Sequence, residues 1–181
     1  MKGFTLIETV IVIAFSAVMM LAIAVLAFNF NKISLYNQAS IKSSGSASAL
    51  IREIEDLVFS ASEVLASHTF SGSVYSSSQG VLVLEIPSVD VSGNVISNTY
   101  DYAVFYVTGT NAYRILETNA LSSRSSGTKI LSTTISALTF SYNGADMPST
   151  NIVTVDIQAQ AYAKQEILSD HLREQIRLRN H

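Results

Sequence analysis

The sequence predicts an α+β fold: one long N-terminal α-helix, a membrane half followed by an amphipathic half, laid on an antiparallel β-sheet. Three observations predict it. Residues 10–28 form an apolar run with Ser16 as its only polar member. A helical period of apolar residues then extends from Leu50 to Leu65. Beyond it the chain breaks into short β-branched and aromatic runs separated by Gly, Ser and Asn.

Composition bounds the possibilities. The chain has 181 residues, 48% of them hydrophobic, and a formal net charge of −3. Without the first thirty or so residues, about 150 remain, enough for one domain with a real core. The balance is not that of a general nucleic-acid binder, which carries a basic excess. Only 14% of residues are charged, whereas Ser, Thr and Asn are abundant, a composition typical of surfaces outside the cell. There are no cysteines. That excludes disulfides, thiolate metal sites and a cysteine nucleophile.

The first element is the apolar run. As a helix, its 19 residues span roughly 28 Å, close to the hydrocarbon thickness of a bilayer. No charge occurs between Glu8 and Lys32. Three readings compete: a plain single-span anchor, a secretory signal cut after Ala22-Ile23-Ala24, and an assembly helix. The secretory reading has Lys2 as its positive start. Against it, Glu8 fits that region poorly, and the apolar run continues through Val25, Leu26 and Phe28. A carboxylate at the head of a membrane span is costly and is retained where it has a partner. The alternative is that Glu8 rests at headgroup level, in the first turn, where the helix dipole favours an acid.

The stretch GFTLIE at residues 3–8 resembles the cleavage motif of type IV prepilins and pseudopilins. The resemblance covers the Gly, the Phe, the Thr-Leu-Ile and the Glu in order, followed by an uninterrupted apolar helix. It implies that a prepilin peptidase cuts between Gly3 and Phe4 and that the new Phe4 amine is methylated. It also implies that Glu8 pairs with the Phe4 amine of a neighbouring subunit in a fibre. On this reading residues 1–3 are the leader, residues 4–28 the transmembrane and fibre-core helix, residues 29–66 its amphipathic continuation, and residues 67–181 a globular β-rich domain. The leader is shorter than many in that family, which leaves a start upstream of Met1 open. The span lacks the helix-breaking Pro and Gly of many major pilins, which points toward minor pilins or pseudopilins.

After the membrane, SIKSSGSASA at residues 40–49 is rich in poor helix formers, and a bend is expected near residues 43–46. Leu50, Ile51, Ile54, Leu57, Val58, Ala61, Val64 and Leu65 then make one apolar stripe, with Arg52, Glu53, Glu55 and Asp56 opposite. A continuous helix to about Ala66 would be roughly 90 Å long. GVLVLEI at 80–86, YDYAVFYV at 100–107 and AYRILE at 112–117 read as strands. Asp90–Asn94 (DVSGN) reads as a hairpin turn in preference to a calcium loop, for which it has too few acidic ligands. Thr108-Gly109-Thr110-Asn111 reads as a second hairpin. Leu138, Phe140 and Tyr142 alternate, as do Val153, Val155, Ile157 and Ala159, so one sheet face is buried and one solvated.

The tail, residues 164–181, fits a helix through Leu168, Leu172 and Ile176. It fits a strand through Leu172, Glu174, Ile176 and Leu178. The resemblance favours the strand, because one subgroup of minor pilins and pseudopilins ends in a strand closed by an Arg-Asn pair, as at Arg179-Asn180.

The globular part offers no catalytic constellation. His68, His171 and His181 are far apart in sequence and read as surface or terminal residues. There is no Gly-x-Ser-x-Gly elbow and no phosphate loop, and SSRSSG at 122–127 reads as a flexible turn. Tyr100, Tyr102, Phe105 and Tyr106 form an aromatic cluster that reads mainly as core. Arg173, Arg177 and Arg179 are nearly cancelled by Glu166, Asp170 and Glu174.

The expectation is therefore a non-enzymatic structural subunit, without cofactor or metal. Its partners are the membrane as a single span, a prepilin peptidase, and other pilins or pseudopilins through the helix; no specific nucleic acid is expected. The location implied is a prokaryotic inner membrane and then a periplasmic or extracellular fibre. The machine served (type IV pilus, type II secretion or competence) is left open, as is a place at the fibre tip. The alternative is a membrane-anchored adhesin or DNA-binding module that uses a pilin-like export signal.

Overall fold

In the computed structural model, residues 5–164 and 166–179 are described. The chain begins with helix α1, Leu6–Ser60, 55 residues long, or about 82 Å at 1.5 Å per residue. Thr5 is its N-cap and Ala61 its C-cap. Up to Ile33 its apolar side chains are exposed on all sides. From Ala39 onward it buries a stripe of Ala39, Ser43, Ala47, Leu50, Ile51, Ile54 and Val58, the three-and-four spacing of one helix face.

Two boundary expectations are corrected. The helix stays regular through residues 43–46 and does not break at the expected bend. The small residues there serve contact: Ser43 and Ala47 are buried, and the Ser43 hydroxyl donates to the Ser40 carbonyl at 3.1 Å, which satisfies the one polar group that the seam covers. The helix also ends at Ser60 and not near Ala66. Ala61 turns extended, and the Ser62 N–H donates to the Glu85 carbonyl at 2.9 Å. Ala61, Val64 and Leu65 keep their apolar contacts but reach them from an extended edge that hydrogen-bonds a strand.

Among the described residues ten strands follow: β1 Glu63–Val64, β2 Ser67–Phe70, β3 Ser73–Ser76, β4 Val81–Val89, β5 Val95–Thr108, β6 Asn111–Glu117, β7 Gly127–Ser132, β8 Ile135–Tyr142, β9 Ile152–Ala163 and β10 Glu166–Arg177. They form a five-stranded sheet in the order β1-β4-β5-β6-β7, a three-stranded sheet β10-β9-β8, and the hairpin β2-β3. All named pairings are antiparallel. The fold is thus α+β, one long helix on antiparallel sheets, with two main sheets where a single one was expected. Both expected hairpins are present, with Val89 opposite Val95 and Thr108 opposite Asn111. Gly109 supplies the positive φ of +63° that opens the second turn.

The main core lies between α1 and the sheets. Leu50, Ile54 and Val58 meet Leu82, Leu84, Ile86 and Phe105 of the larger sheet and Phe140, Val155 and Ile157 of the smaller one. The Tyr142 hydroxyl lies 3.0 Å from the Ser78 carbonyl and 2.8 Å from that of Val81, and so joins the sheets. Burial pushes this phenol well above its ordinary pKa. A second cluster covers the far face of the larger sheet, where Phe70 sits with Val83 and Val104 under the β2–β3 hairpin.

The aromatic cluster is divided between these faces. Phe105 belongs to the helix side, Tyr102 and Tyr106 to the far side, and Tyr100 is exposed. His68 is not a plain surface residue: its ring stacks on Tyr102 at 3.9 Å and meets Phe70 edge-on. The tail is a strand. Leu172, Ile176 and Leu178 face the core, and Arg173, Gln175 and Arg177 lie on the exposed face.

Candidate functional site

Gly3 and Phe4 lie outside the described residues, as do Asn180 and His181. The third candidate, Glu8, occupies the third position of α1. The Thr5 N–H donates to Glu8 Oε2 at 2.9 Å and the Thr5 hydroxyl to the same oxygen at 3.0 Å, while the Glu8 N–H donates to Thr5 Oγ1 at 3.4 Å. This is a reciprocal capping box, which satisfies helix-end donors that have no partner inside the helix. In GFTLIE, the Thr-x-x-Glu spacing carries that signal. Glu8 Oε1 makes no hydrogen bond among the described residues.

The dominant surface feature follows immediately. Ile7, Val10, Ile11, Ile13, Phe15, Met19, Met20, Ile23 and Leu26 project from every side of α1, each half exposed or more. The segment is long and apolar enough to cross a membrane, and none of its window is buried by the rest of the chain. A soluble surface rarely carries a contiguous apolar patch of more than a few hundred Å², so this half of the helix requires an apolar environment. It differs from a core helix in having no sheet beneath it.

Two polar arrangements hold the globular part to α1 and to itself. Glu53, expected on the solvated face, instead points at the larger sheet, where it pairs with Arg114 of β6 and with Lys129 of β7, the latter at 3.1 Å. Arg114 and Lys129 are opposite one another in register, so the two cations converge on one carboxylate. The second arrangement centres on Asp101, which has no exposed surface. Its carboxylate accepts from the Ser88 hydroxyl (2.8 Å), the Asn119 N–H (2.9 Å), the Ser122 hydroxyl (2.7 Å) and the Arg124 guanidinium (2.7 Å). Desolvation, the largest single influence, pushes this carboxyl up. The bonds from Ser122, Arg124, Asn119 and Ser88 together outweigh it and hold the pKa below the ordinary value. Arg124 also donates to the Pro87 carbonyl at 2.7 Å. SSRSSG, expected to be a flexible turn, is therefore pinned to the sheet.

These arrangements are structural. Every acceptor on Asp101 is occupied by a donor from its own chain, which leaves no site for a reacting group. His171 pairs with Asp156 at 2.8 Å on the exposed face of the smaller sheet. Asp90 closes its turn by accepting from the Ser92 and Asn94 N–H groups at 2.8 and 2.9 Å. Among the described residues no three His, Cys, Asp or Glu side chains converge to hold a metal ion. A cleft of about 430 Å³ beside α1 and the smaller sheet is lined by Leu35, Ala39 and Ala161 together with Gln38, Lys42 and Thr134; its lining mixes apolar and polar side chains.

In comparisons with known proteins, the chain matches no family model, no curated protein and no solved structure. The functional reading therefore rests on GFTLIE, on the capped apolar half-helix and on the domain that carries it.

Proposed function

We propose that the chain is a pilin-like fibre subunit, a minor pilin or pseudopilin, cut between Gly3 and Phe4 by a prepilin peptidase and methylated on the Phe4 amine. The observation that carries this reading is the apolar half of α1, which projects bare from the globular domain and is headed by Glu8 within GFTLIE. A plain anchor requires only the apolar residues. The Gly-Phe junction and an acid at its fifth residue are what the cleavage, methylation and pairing chemistry requires.

The mechanism is assembly. Before assembly the half-helix lies in the inner membrane as a single span. In the fibre it packs against the same segment of other pilins or pseudopilins. Both environments are apolar, so transfer between them costs little. Direction comes from Glu8. In the isolated subunit its Oε2 closes the capping box, which leaves Oε1 to accept from the Phe4 amine of the next subunit and to set the axial register. The globular domain contributes contacts to other minor subunits, at the fibre tip or along it.

The deciding experiment is mass spectrometry of the N-terminal peptide after expression with a prepilin peptidase. A peptide that begins with N-methylated Phe4 is expected. A chain that retains Met1, or begins after Ala24, overturns the reading. With correct processing, Glu8→Ala is expected to insert in the membrane normally and to be lost from sheared fibres.

A further inference from the structure

The β9–β10 hairpin projects along α1 toward the apolar half of the helix. β9 ends at Ala163 and β10 begins at Glu166, opposite each other in register. Ala161 and Ala163 pack on Ala39 of α1, beside Tyr36. At the hairpin tip, Lys164 Nζ lies over the Phe28 ring, 5.0 Å from its centroid. Glu166 and Tyr36 line one cleft with Phe28, Lys32 and Lys164. Phe28 is the last residue of the apolar run, and Lys32 is the first charge after it. At 1.5 Å per residue, Phe28, Lys32 and Tyr36 lie within about 12 Å along the helix axis. A bilayer's headgroup layer is about 5–8 Å thick on each side. A span that ends at Phe28 therefore places Lys164, which lies over Phe28, and Lys32, about 6 Å beyond it, at headgroup level, with Tyr36 just outside.

The side chains at the tip match that position. On the face turned away from α1, β9 presents Thr154, Asp156, Gln158 and Gln160, and β10 presents Ser169, His171, Arg173, Gln175 and Arg177. At the tip the same face changes to Tyr162 and Ile167, which are register partners and 72% and 56% exposed. This face is polar along most of the hairpin and becomes apolar toward its tip, the end nearest Phe28. Tyrosine and lysine are the side chains that favour a membrane interface, one amphipathic and one with a long stem and a cationic head. Lys164 also has φ +58°, a left-handed conformation that Gly or Asn adopts at lower cost.

We propose that the tip of the β9–β10 hairpin is a second membrane contact, which seats the globular domain on the bilayer that holds α1. Lys164 and Lys32 meet the phosphates of anionic lipids, and Tyr162 and Ile167 enter the interfacial layer. The contact limits how far α1 can sink and fixes the tilt of the domain over the membrane. It rests on membrane insertion of the apolar half of α1 and does not require fibre assembly.

Because the chain has no cysteine, single labels test this directly. Full-length protein is reconstituted in phosphatidylcholine vesicles with and without phosphatidylglycerol. A fluorophore is placed at Met20→Cys, Tyr162→Cys or Val91→Cys, and quenching by lipids brominated along the chain and by lipids with a quencher at the headgroup is compared. The label at 20 is expected to be quenched from the chain region, the label at 162 from the headgroup, and the label at 91 by neither. A label at 162 as free of quenching as that at 91, with 20 in hydrocarbon, overturns the contact and leaves the span intact. A label at 20 outside hydrocarbon overturns the span and the contact together. Lys164→Gly relaxes the backbone while it removes the cation. In that variant the extra headgroup quenching at 162 caused by phosphatidylglycerol is expected to disappear while the fold is kept. If that increment persists, Lys164 does not meet the lipid phosphates.

Discussion

Asp101 shows how one buried charge organises a segment that its neighbours in sequence do not explain. It lies in YDYAVFYV, where alternation marks it only as a polar residue of a strand. Its partners Ser88, Ser122 and Arg124 are brought to it by the β4–β5 hairpin and by the loop after β6. Removal of such a carboxylate leaves a largely buried guanidinium without its counter-ion and the Ser88 and Ser122 hydroxyls without this acceptor, so Asp101→Ala should lower stability by about 3 kcal/mol at pH 7. Urea titration checks this. The pH dependence has a definite sign. A carboxyl held below its ordinary pKa stabilises the fold above the unfolded value of about 4. That contribution is lost as pH falls through the lower, folded value. The Asp101→Ala variant should therefore lose less stability below pH 4 than the parent chain, and equal acid limbs for the two would refute the assignment. Glu53 gives the same lesson: its helical period places it opposite the apolar stripe, yet two cations of the sheet reach it.

At the scale of elements, α1 is legible for most of its length because period and hydropathy are local properties. Its weak point is also local. Gly45 lies in the middle of a helix, on its exposed side, and a methyl added there would meet no atom within 4 Å. Gly45→Ala should therefore raise stability by about 0.5–1 kcal/mol through helix propensity alone. A rise in the thermal midpoint checks this. A fall would show that the membrane half and the domain half depend on a bend at residue 45. Gly45 and the serines around it suggest weakness because propensity scales treat the helix as isolated. In the fold small side chains on the buried face serve contact: Ser43 and Ala47 are buried, and Ala161 and Ala163 pack on Ala39 just before them. The end of α1 was misplaced for a related reason. Ala61, Val64 and Leu65 satisfy a helical period, but Ser62 and Leu65 find better backbone partners in Glu85 and Val83 of β4. The tail resolves the opposite way, because twelve register pairs with β9 outweigh a modest preference for helix.

At the scale of the molecule, the chain is two objects on one helix. Residues up to Ile33 bury nothing in the domain, whereas the core begins at Ala39. A chain that starts at residue 30 should thus be soluble without detergent and unfold at the same denaturant midpoint as the full chain in detergent, and a midpoint lowered by more than 1 M urea would mean that the apolar half supports the domain. The sequence by itself determined the fold class, an apolar helix long enough to cross a membrane, the amphipathic stripe and both hairpin turns. Each of these depends on residues close in the chain, on a period or on a turn that needs a particular backbone conformation. Only the tertiary structure decided the division into two sheets, the helix end at Ser60, the closure of loop 118–126 on Asp101, the turn of Glu53 toward the sheet and the reach of the β9–β10 hairpin to Phe28. These depend on which distant segments meet. That choice is made by hydrogen-bond pairing and burial summed over the whole chain, where several registers satisfy the same local pattern.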